Sequence, residues 1–411
     1  MNNNFDCIII GGGASGLAAA VSLAKRNGNI KIAVLEALDR VGKKLSLTGN
    51  GQCNITNKNL NPNCFHSENN GFSQTALNKY GFDYTKDFFE EIGINIVSKE
   101  DGRSYPRSYQ ASSVVDALRF AAEKFGVLTF FSTKVESFLK KNDGFVLNTT
   151  QGDFFAKKVV FACGLLSGGE KIGGFNNGIK MLEKAGHNAV KLTPSIAQLK
   201  AQNSVLRSLK GIKTESMAVL KIDGKTIDSK KDEILFTDYG LSGPAILKLS
   251  RETARTNKKC EIVIDLFYEF SENELFSMLI NRQKNIANRE KETLLFGLLQ
   301  NRLARAALVY AGLELNGKIG EFTEKELKNL AFALKNFTFT VTGNTGFINS
   351  QATAGGIDTK EINPATMQSK KTNGLYIIGE LLDVDGDCGG YNLQWAWSSA
   401  FCAAESISGE F

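Results

Sequence analysis

The chain has 411 residues, 42% of them hydrophobic and 22% charged, with a formal net charge of +6 and seven cysteines. That length holds two or three domains and can enclose a cofactor; the ordinary composition excludes a disordered or fibrous chain, and no run approaches the roughly twenty apolar residues of a membrane-spanning helix. Cys7, Cys53, Cys64, Cys163, Cys260, Cys388 and Cys402 are scattered and never spaced C-x-x-C, which argues against a zinc ribbon or dithiol redox centre. With no signal-peptide pattern in the polar start Met1 to Asp6, the expected location is the reducing cytoplasm.

In chain order, "FDCIII" is a short buried-type strand, "GGGASG" a turn, "LAAAVSLAKRNG" an alanine-rich helix ending at Gly28, and "IKIAVLE" a second strand. This is a βαβ unit, the minimal nucleotide-binding half of a doubly wound sheet. Helical patterns follow from Asp83 to Gly93 and from Ser113 to Gly126, then strands through "KKVVFACG" broken by Asn-Asp-Gly and Gln-Gly-Asp turns. Residues from Lys191 to Ile264 are strand-rich, with a hairpin turn at Asp223-Gly224. Ser271 to Ala333 is helical, "FTFTVTG" returns to strand, and "GLYIIGE" and "GGYNLQWAWSSAFCAAESI" close the chain as strand and helix. The expected fold is α/β: a Rossmann-like nucleotide-binding domain from residues 1–190 and 356–411, interrupted by a β-rich, barrel-like domain (191–270 and 336–355) that carries a small helical domain (271–335).

Gly11, Gly13 and Gly16 form a G-x-G-x-x-G with Ala14 and Ser15 inside it, directly after a strand and opening a helix. The first glycine permits the tight turn, the second lets backbone approach a pyrophosphate, and the third allows close helix–strand packing. Glu36 closes the second strand where an acid binds a ribose 2′-hydroxyl and repels the extra phosphate of NADP. Just past it, "RVGKKLSLTGNGQCNITN" adds Lys43, Lys44, Ser46, Thr48, Gly49, Asn50, Gly51, Cys53 and Asn54, a second cradle of the kind a dinucleotide with a large flavin half needs.

The tail segment "DVDGDCGGYNLQWAWSS" places Asp383, Asp385 and Asp387 like the first ligands of a calcium loop. Position 6 is Cys388 and position 12 is Gln394, so the template fails and no metal is expected. Asp385 and Asp387 then read as turn residues in a solvated loop, and of Trp395 and Trp397, two apart, one is expected in the core and the other at a cleft or interface.

"GGGASGLAAA", "RVGKKLSLTGNGQCNITN", "LFTDYGLSGPAIL", "GGIDTKEINPATMQSK" and "GLYIIGELLDVDGDCGGYNLQWAWSSA" occur in this order, and with them the chain resembles the BaiN/YhiN-type bacterial flavoproteins, a three-domain family of FAD-dependent oxidoreductases. The resemblance implies FAD as cofactor. It puts the N-terminal glycines and acid on the adenosine half, the loop from Lys44 to Asn54 along the pyrophosphate and flavin, and Gly379, Glu380, Asp383, Gly389, Gly390, Tyr391 and Asn392 over the ribityl chain and ring. Val135, Ala162, Cys163 and Gly164, where the sheet is resumed, complete the cofactor-binding set. The chain departs from the family pattern at Gln52, where arginine is common, at Asp238, where histidine is common, and in "ACGLLSGGEKIGGFNNG".

Family activities include reduction of double bonds conjugated to a ketone, amine oxidation, and reduction of uridine in ribosomal RNA. "GRSYPRSYQASSVVDAL" and Asp238 lean toward hydride transfer from reduced flavin to a small enone, with NADH or NADPH as transient reductant because only one G-x-G-x-x-G is present. Proton-donor candidates are Tyr391, Cys53, Asp238 and Tyr239; His66 and His187 lie outside the matched motifs and read as structural. RNA as partner rests on the basic stretch Arg282, Lys284, Arg289, Lys291, Arg302 and Arg305 and is not favoured; a non-catalytic FAD-bearing interaction protein is the reading from outside enzymology.

Overall fold

The computed structural model describes residues 3–411, so the first two residues of the polar N-terminal stretch lie outside the described residues. The chain divides into two units, one running to Ser195 and resuming at Phe347–Phe411, the other Ile196–Gly346.

The first unit is built on a seven-stranded sheet. Strand β1 (Asn4–Ile10) lies between β2 (Ile32–Leu35) and the long strand Gly152–Phe161, parallel to both, with Ile8 opposite Ala33 and Val159. Leu128–Phe130 extends the parallel edge beyond β2, and Leu375–Ile377 adds a parallel strand to the far end of Gly152–Phe161. The near end of that strand turns antiparallel through Gly144–Thr149 to Val135–Lys141. β1 and β2 are almost continuously apolar because a parallel sheet is covered on both faces. Helix α1 (Ala14–Arg26) is buried through ten consecutive positions, which its small residues allow, and it packs against the C-terminal helix Tyr391–Ser408. Both tryptophans of that helix are almost fully buried: Trp395 donates to the Gly379 carbonyl and Trp397 to the Ile55 carbonyl.

The second unit is a closed antiparallel barrel in the order Leu199–Gln202, Gly240–Ser242, Lys225–Phe236, Lys213–Ile222, Cys260–Asp265, Phe337–Asn344, which pairs back to the first. The expected hairpin at Asp223-Gly224 is present, both residues in the left-handed region (φ 48° and 77°) that its tight turn requires. Helices Glu272–Asn285 and Glu324–Lys335 begin with capping boxes, Ser271 with Glu274 and Thr323 with Glu326. One helix, Pro244–Ala254, stands inside the stretch read as strand-rich. Each unit has its own hydrophobic cluster. No helix among the described residues is long and apolar enough to cross a membrane.

Candidate functional site

A cleft with about 1400 Å³ of empty space, counted out to its open mouth, lies at the C-terminal ends of β1 and β2 in the first unit. Its floor is the turn into α1. Gly11 takes φ 106°, and a Cβ there would come within 2.7 Å of the Ala162 carbonyl oxygen. A Cβ at Gly16 would drive into the Gly11 carbonyl, whereas one at Gly13 would meet nothing within 4 Å. The side-chain-free space above Gly13 is therefore the approach to the helix N-terminus, which has no side-chain cap and no acid in its first turn. Its free N–H groups and dipole suit an anion.

Glu36 ends β2 as the spacing predicts, but its carboxylate is already engaged: Oε2 accepts from the Gly12 amide and Oε1 from the Leu38 amide, both at 2.8 Å. Burial pushes its pKa up, ahead of the lowering by those amides and Lys43. The carboxylate thus braces the glycine turn against the loop after β2 while its residue still lines the cleft.

On another wall, Glu380 receives Lys44 Nζ at 2.6 Å, Ser167 Oγ at 2.8 Å and the Thr353 amide at 2.9 Å, and Lys44 also meets Ser167. Burial alone would raise the Glu380 pKa; Lys44 and the hydrogen bonds outweigh it and hold the carboxyl below its ordinary value. The helix Tyr391–Ser408 brings a second uncapped N-terminus to the same cleft. Its cap Gly390 has φ 97°, no acid occupies the first turn, and Asn392 and Leu393 line the wall. The Asn392 amide is spent on its own loop, bonded to both the N–H and the carbonyl of Gly386.

Of the residues assigned to the cofactor from sequence, the cleft brings together Gly11, Gly13, Ala14, Ser15, Glu36, Lys43, Lys44, Thr48, Val135, Ala162, Cys163, Gly164, Glu380 and Asn392. Gly16, Ser46, Gly49, Asn50, Gly51, Cys53, Asn54, Gly379, Asp383, Gly389, Gly390 and Tyr391 are not in its lining. Several of these shape the backbone: Gly49, Asn50 and Cys53 all have positive φ, and Gly379 sits against Ser15 and donates its amide N–H to Ser399 Oγ. Lining residues that sequence reasoning missed include Gly42, Thr133, Lys134, Phe175, Met181 and Gln351. Gly42, left-handed at φ 69°, and Phe175, over which Lys134 stands at 5.7 Å, sit inside stretches already singled out, but Phe175 itself carries no local signal.

Asp385 is not a turn residue in a solvated loop, whereas the Asp387 side chain keeps 33% exposure beside a turn. Asp383 and Asp385 are both 1% exposed. Asp383 turns away from the cleft to accept from the Glu68 amide at 2.8 Å and Ser67 at 3.3 Å, while its neighbour Val384 lines the cleft. Asp385 sits in a two-residue strand paired with Phe65–His66 and accepts from Ser195; Asp387 bonds His66 at 2.8 Å. Alternation along an extended chain sends acids and Val384 to opposite sides. Among the described residues no three His, Cys, Asp or Glu side chains gather as a metal site.

The four proton-donor candidates are dispersed. Cys53 is fully buried and its thiol is pushed up to about 12 by burial. Tyr391 is half-buried, with its phenol pKa raised chiefly by burial and its hydroxyl 3.5 Å from the Asn59 carbonyl. Asp238 is exposed and held low by Lys210, and Tyr239 bonds Gln198; both belong to the barrel unit. In that unit the basic stretch is largely used internally: Arg282 donates to the Leu294 and Phe296 carbonyls, Arg302 to those of Ser208 and Lys210, and Arg305 and Lys291 pair with Glu292 and Glu321.

The sequence pattern described as HI0933-like protein Rossmann domain matches residues 5–406. Over 97% of its length the chain is 31% identical to 98% of a 3-dehydro-bile acid delta(4,6)-reductase of Clostridium scindens. It is also 31% identical, over 99% of its length and 100% of the relative's, to a ribosomal RNA dihydrouridine synthase of Haemophilus influenzae. In three dimensions it aligns over the full length of both chains with a 3-ketosteroid delta1-dehydrogenase of Sterolibacterium denitrificans, with a TM-score of 0.55 and 12% identity, a likeness of fold.

Proposed function

The chain belongs to the HI0933-like Rossmann family, and from that premise we propose that it is an FAD-dependent oxidoreductase that reduces a carbon–carbon double bond conjugated to a carbonyl in a small molecule. One observation carries the cofactor half of this reading: a single cleft collects the first turns of two helices without side-chain caps, at Gly13 and at Asn392-Leu393, together with Glu36 and Glu380. The first suits a pyrophosphate and the second the negative edge of a reduced ring; Glu36 holds the adenosine side and Glu380, kept ionised, accepts from ribityl hydroxyls. A bound flavin supplies the hydride. The chain's part is to orient the acceptor, exclude water and deliver a proton. Cys53 is too deeply buried to reach a substrate, and Asp238, held ionised by Lys210, is an acceptor at neutral pH. The phenol of Tyr391, in the same unit as the cleft, remains as the donor. NADH or NADPH is the proposed reductant.

The relative from Haemophilus influenzae favours a second reading, reduction of uridine in RNA. The chemistry is of one class, since the reducible bond of uracil is also conjugated to a carbonyl. What weighs against RNA is that the basic stretch spends its arginines on the barrel unit's own carbonyls and acids. Stopped-flow mixing of the anaerobically reduced holoenzyme with steroid enones, a uridine-containing RNA and oxygen tests both. Reoxidation by enones alone supports the proposal; reoxidation by RNA alone replaces it. Purified protein that takes up no FAD sinks both.

A further inference from the structure

Among the described residues that line the cleft, two carry aromatic rings, Trp395 and Phe175. Trp395 is already spent: it is 1% exposed, donates to the Gly379 carbonyl and meets Phe72 edge-on. Phe175 is different. It is half-buried, no other aromatic ring packs on it among the described residues, and over its ring stands Lys134 Nζ, 5.7 Å from the centroid. Lys134 lines the cleft as well and makes no ion pair among the described residues. A free aromatic face held beside a cation at the wall of a cleft is a place for a flat ligand group.

The backbone fixes this ring at the end of the cleft assigned to adenosine. The Thr133 amide donates to the Glu36 carbonyl and the Ser132 amide to that of Leu38, both at 2.8 Å, so the residues leading to Lys134 run beside the loop that follows Glu36. Phe175 is tied to the same loop. Its amide bonds the Gly173 carbonyl at 3.0 Å, Gly173 is left-handed at φ 96°, and a Cβ there would stand 3.6 Å from Leu38 Cδ1. The helix Asn177–Lys184 begins two residues later and is seated at Gly178, where a Cβ would collide with Cys163 Sγ. The walls of Glu380 and Asn392 are held by other segments, Ser167 and Thr353 for the one and Gly386 for the other. Phe175 also lies in "ACGLLSGGEKIGGFNNG", where the chain departs from the family pattern, and neither the glycine motif nor Glu36 calls for a ring there.

We propose that Phe175 is the adenine seat of the FAD cleft: its face stacks on the purine, Lys134 holds the ring, and the pair makes the protein favour FAD over FMN, which lacks the adenylate half. This rests on the FAD reading of the cleft and identifies a specificity-determining residue for it. A base gains more on an aromatic face than on an aliphatic wall. The isoalloxazine ring is flat too, but its end of the cofactor is assigned to the walls of Glu380 and Asn392, whereas Gly173 and Leu38 anchor Phe175 beside Glu36.

Three variants test it. Phe175→Ala removes the ring, Phe175→Leu keeps apolar volume without an aromatic face, and Phe175→Tyr keeps the face. Each cofactor-free protein is titrated with FAD and with FMN by flavin fluorescence quenching, and the absorbance band of the bound flavin is recorded at saturation. F175A should weaken FAD about tenfold and F175L about threefold to fivefold, while F175Y binds FAD like the parent. FMN affinity and the flavin band should be the same in all four proteins. F175L carries the test if F175A does not fold. Unchanged FAD affinity in F175A and F175L overturns the seat. Equal weakening of FAD and FMN overturns it as well, leaving the ring a packing role, and a shifted flavin band overturns it by placing the ring against the isoalloxazine. An unsubstituted protein that takes up no FAD strikes the cofactor reading itself, and is distinguished by needing no change at Phe175.

Discussion

Lys44 and Glu380, 336 residues apart in sequence, meet at 2.6 Å in the cleft wall, joining the loop after β2 to the end of the last parallel strand. With Ser167 and the Thr353 amide they give Glu380 enough donors to stay ionised despite burial. Replacing Glu380 by alanine leaves Lys44 without its acid and should cost about 2 kcal/mol in urea unfolding at pH 7. The folded-state pKa is depressed, so this contribution is present above the unfolded value of about 4.3 and is lost as pH falls through the folded one. E380Q should therefore show a shallower stability loss below about pH 4 than the parent. An unchanged acid limb would show that Glu380 does not carry the charge assigned to it.

Gly13 and Gly16 separate a binding role from a packing role within one motif. An added methyl at Gly16 meets the Gly11 carbonyl and Ala162, so G16A should lose about 2 kcal/mol of stability even without cofactor. At Gly13 the same methyl meets only open space and φ is an ordinary −83°. G13A should keep its cofactor-free melting temperature while FAD affinity, measured by flavin fluorescence quenching, falls about tenfold or more. Equal losses of stability in the two variants would remove the case for a phosphate over Gly13.

How much of this was legible in sequence depended on how local the cause is. The βαβ start and the Asp223-Gly224 turn are fixed by neighbours and were readable from periodicity and turn chemistry. The Pro244–Ala254 helix was readable but missed, since Gly243-Pro244 is a helix-start signal hidden among strands. Asp385 was misread because its partner, Ser195, lies 190 residues away and nothing near it announces burial. Phe175, Lys134 and Gln351 reach the cleft by the same kind of long-range folding, which leaves no spacing to recognise.

His187 gives a pH prediction of its own. Nε2 lies 3.0 Å from Ser369 Oγ and Nδ1 2.9 Å from Glu361, and the Ser369 oxygen accepts the Lys371 and Thr372 amides. The serine hydrogen then points at Nε2, so the ring is neutral with its own hydrogen toward Glu361. With Ser369 4% exposed and its oxygen so occupied, this Ser–His–Glu arrangement is structural and no nucleophile. Burial pushes the His187 pKa down, ahead of the opposing pull of Glu361. The unfolded chain thus binds the proton first: stability should fall as pH drops through about 6.5 and level off below the folded value. The urea midpoint between pH 7.5 and 5.5 should slope less in His187→Gln; an identical slope would exclude the histidine as its source.

Cys53 tests the rigidity of the loop assigned to the flavin ring. It is 0% exposed, at φ 58°, and its amide bonds the Thr48 carbonyl while Gly49 and Asn50 before it are also left-handed. With the thiol pushed up to about 12, the thiolate at pH 8 is about one part in ten thousand, and no reagent can reach it without the loop opening. Under native conditions iodoacetamide should modify the half-exposed Cys64 and Cys388 while Cys53 stays unmodified until urea unfolds the chain. Added FAD should slow any residual Cys53 labelling further, because a ligand that binds only the closed loop suppresses its opening in proportion to occupancy. Peptide mass mapping reads both effects. Cys53 labelling as fast as Cys64, with or without FAD, would mean that the left-handed loop is not held closed and does not seat the flavin.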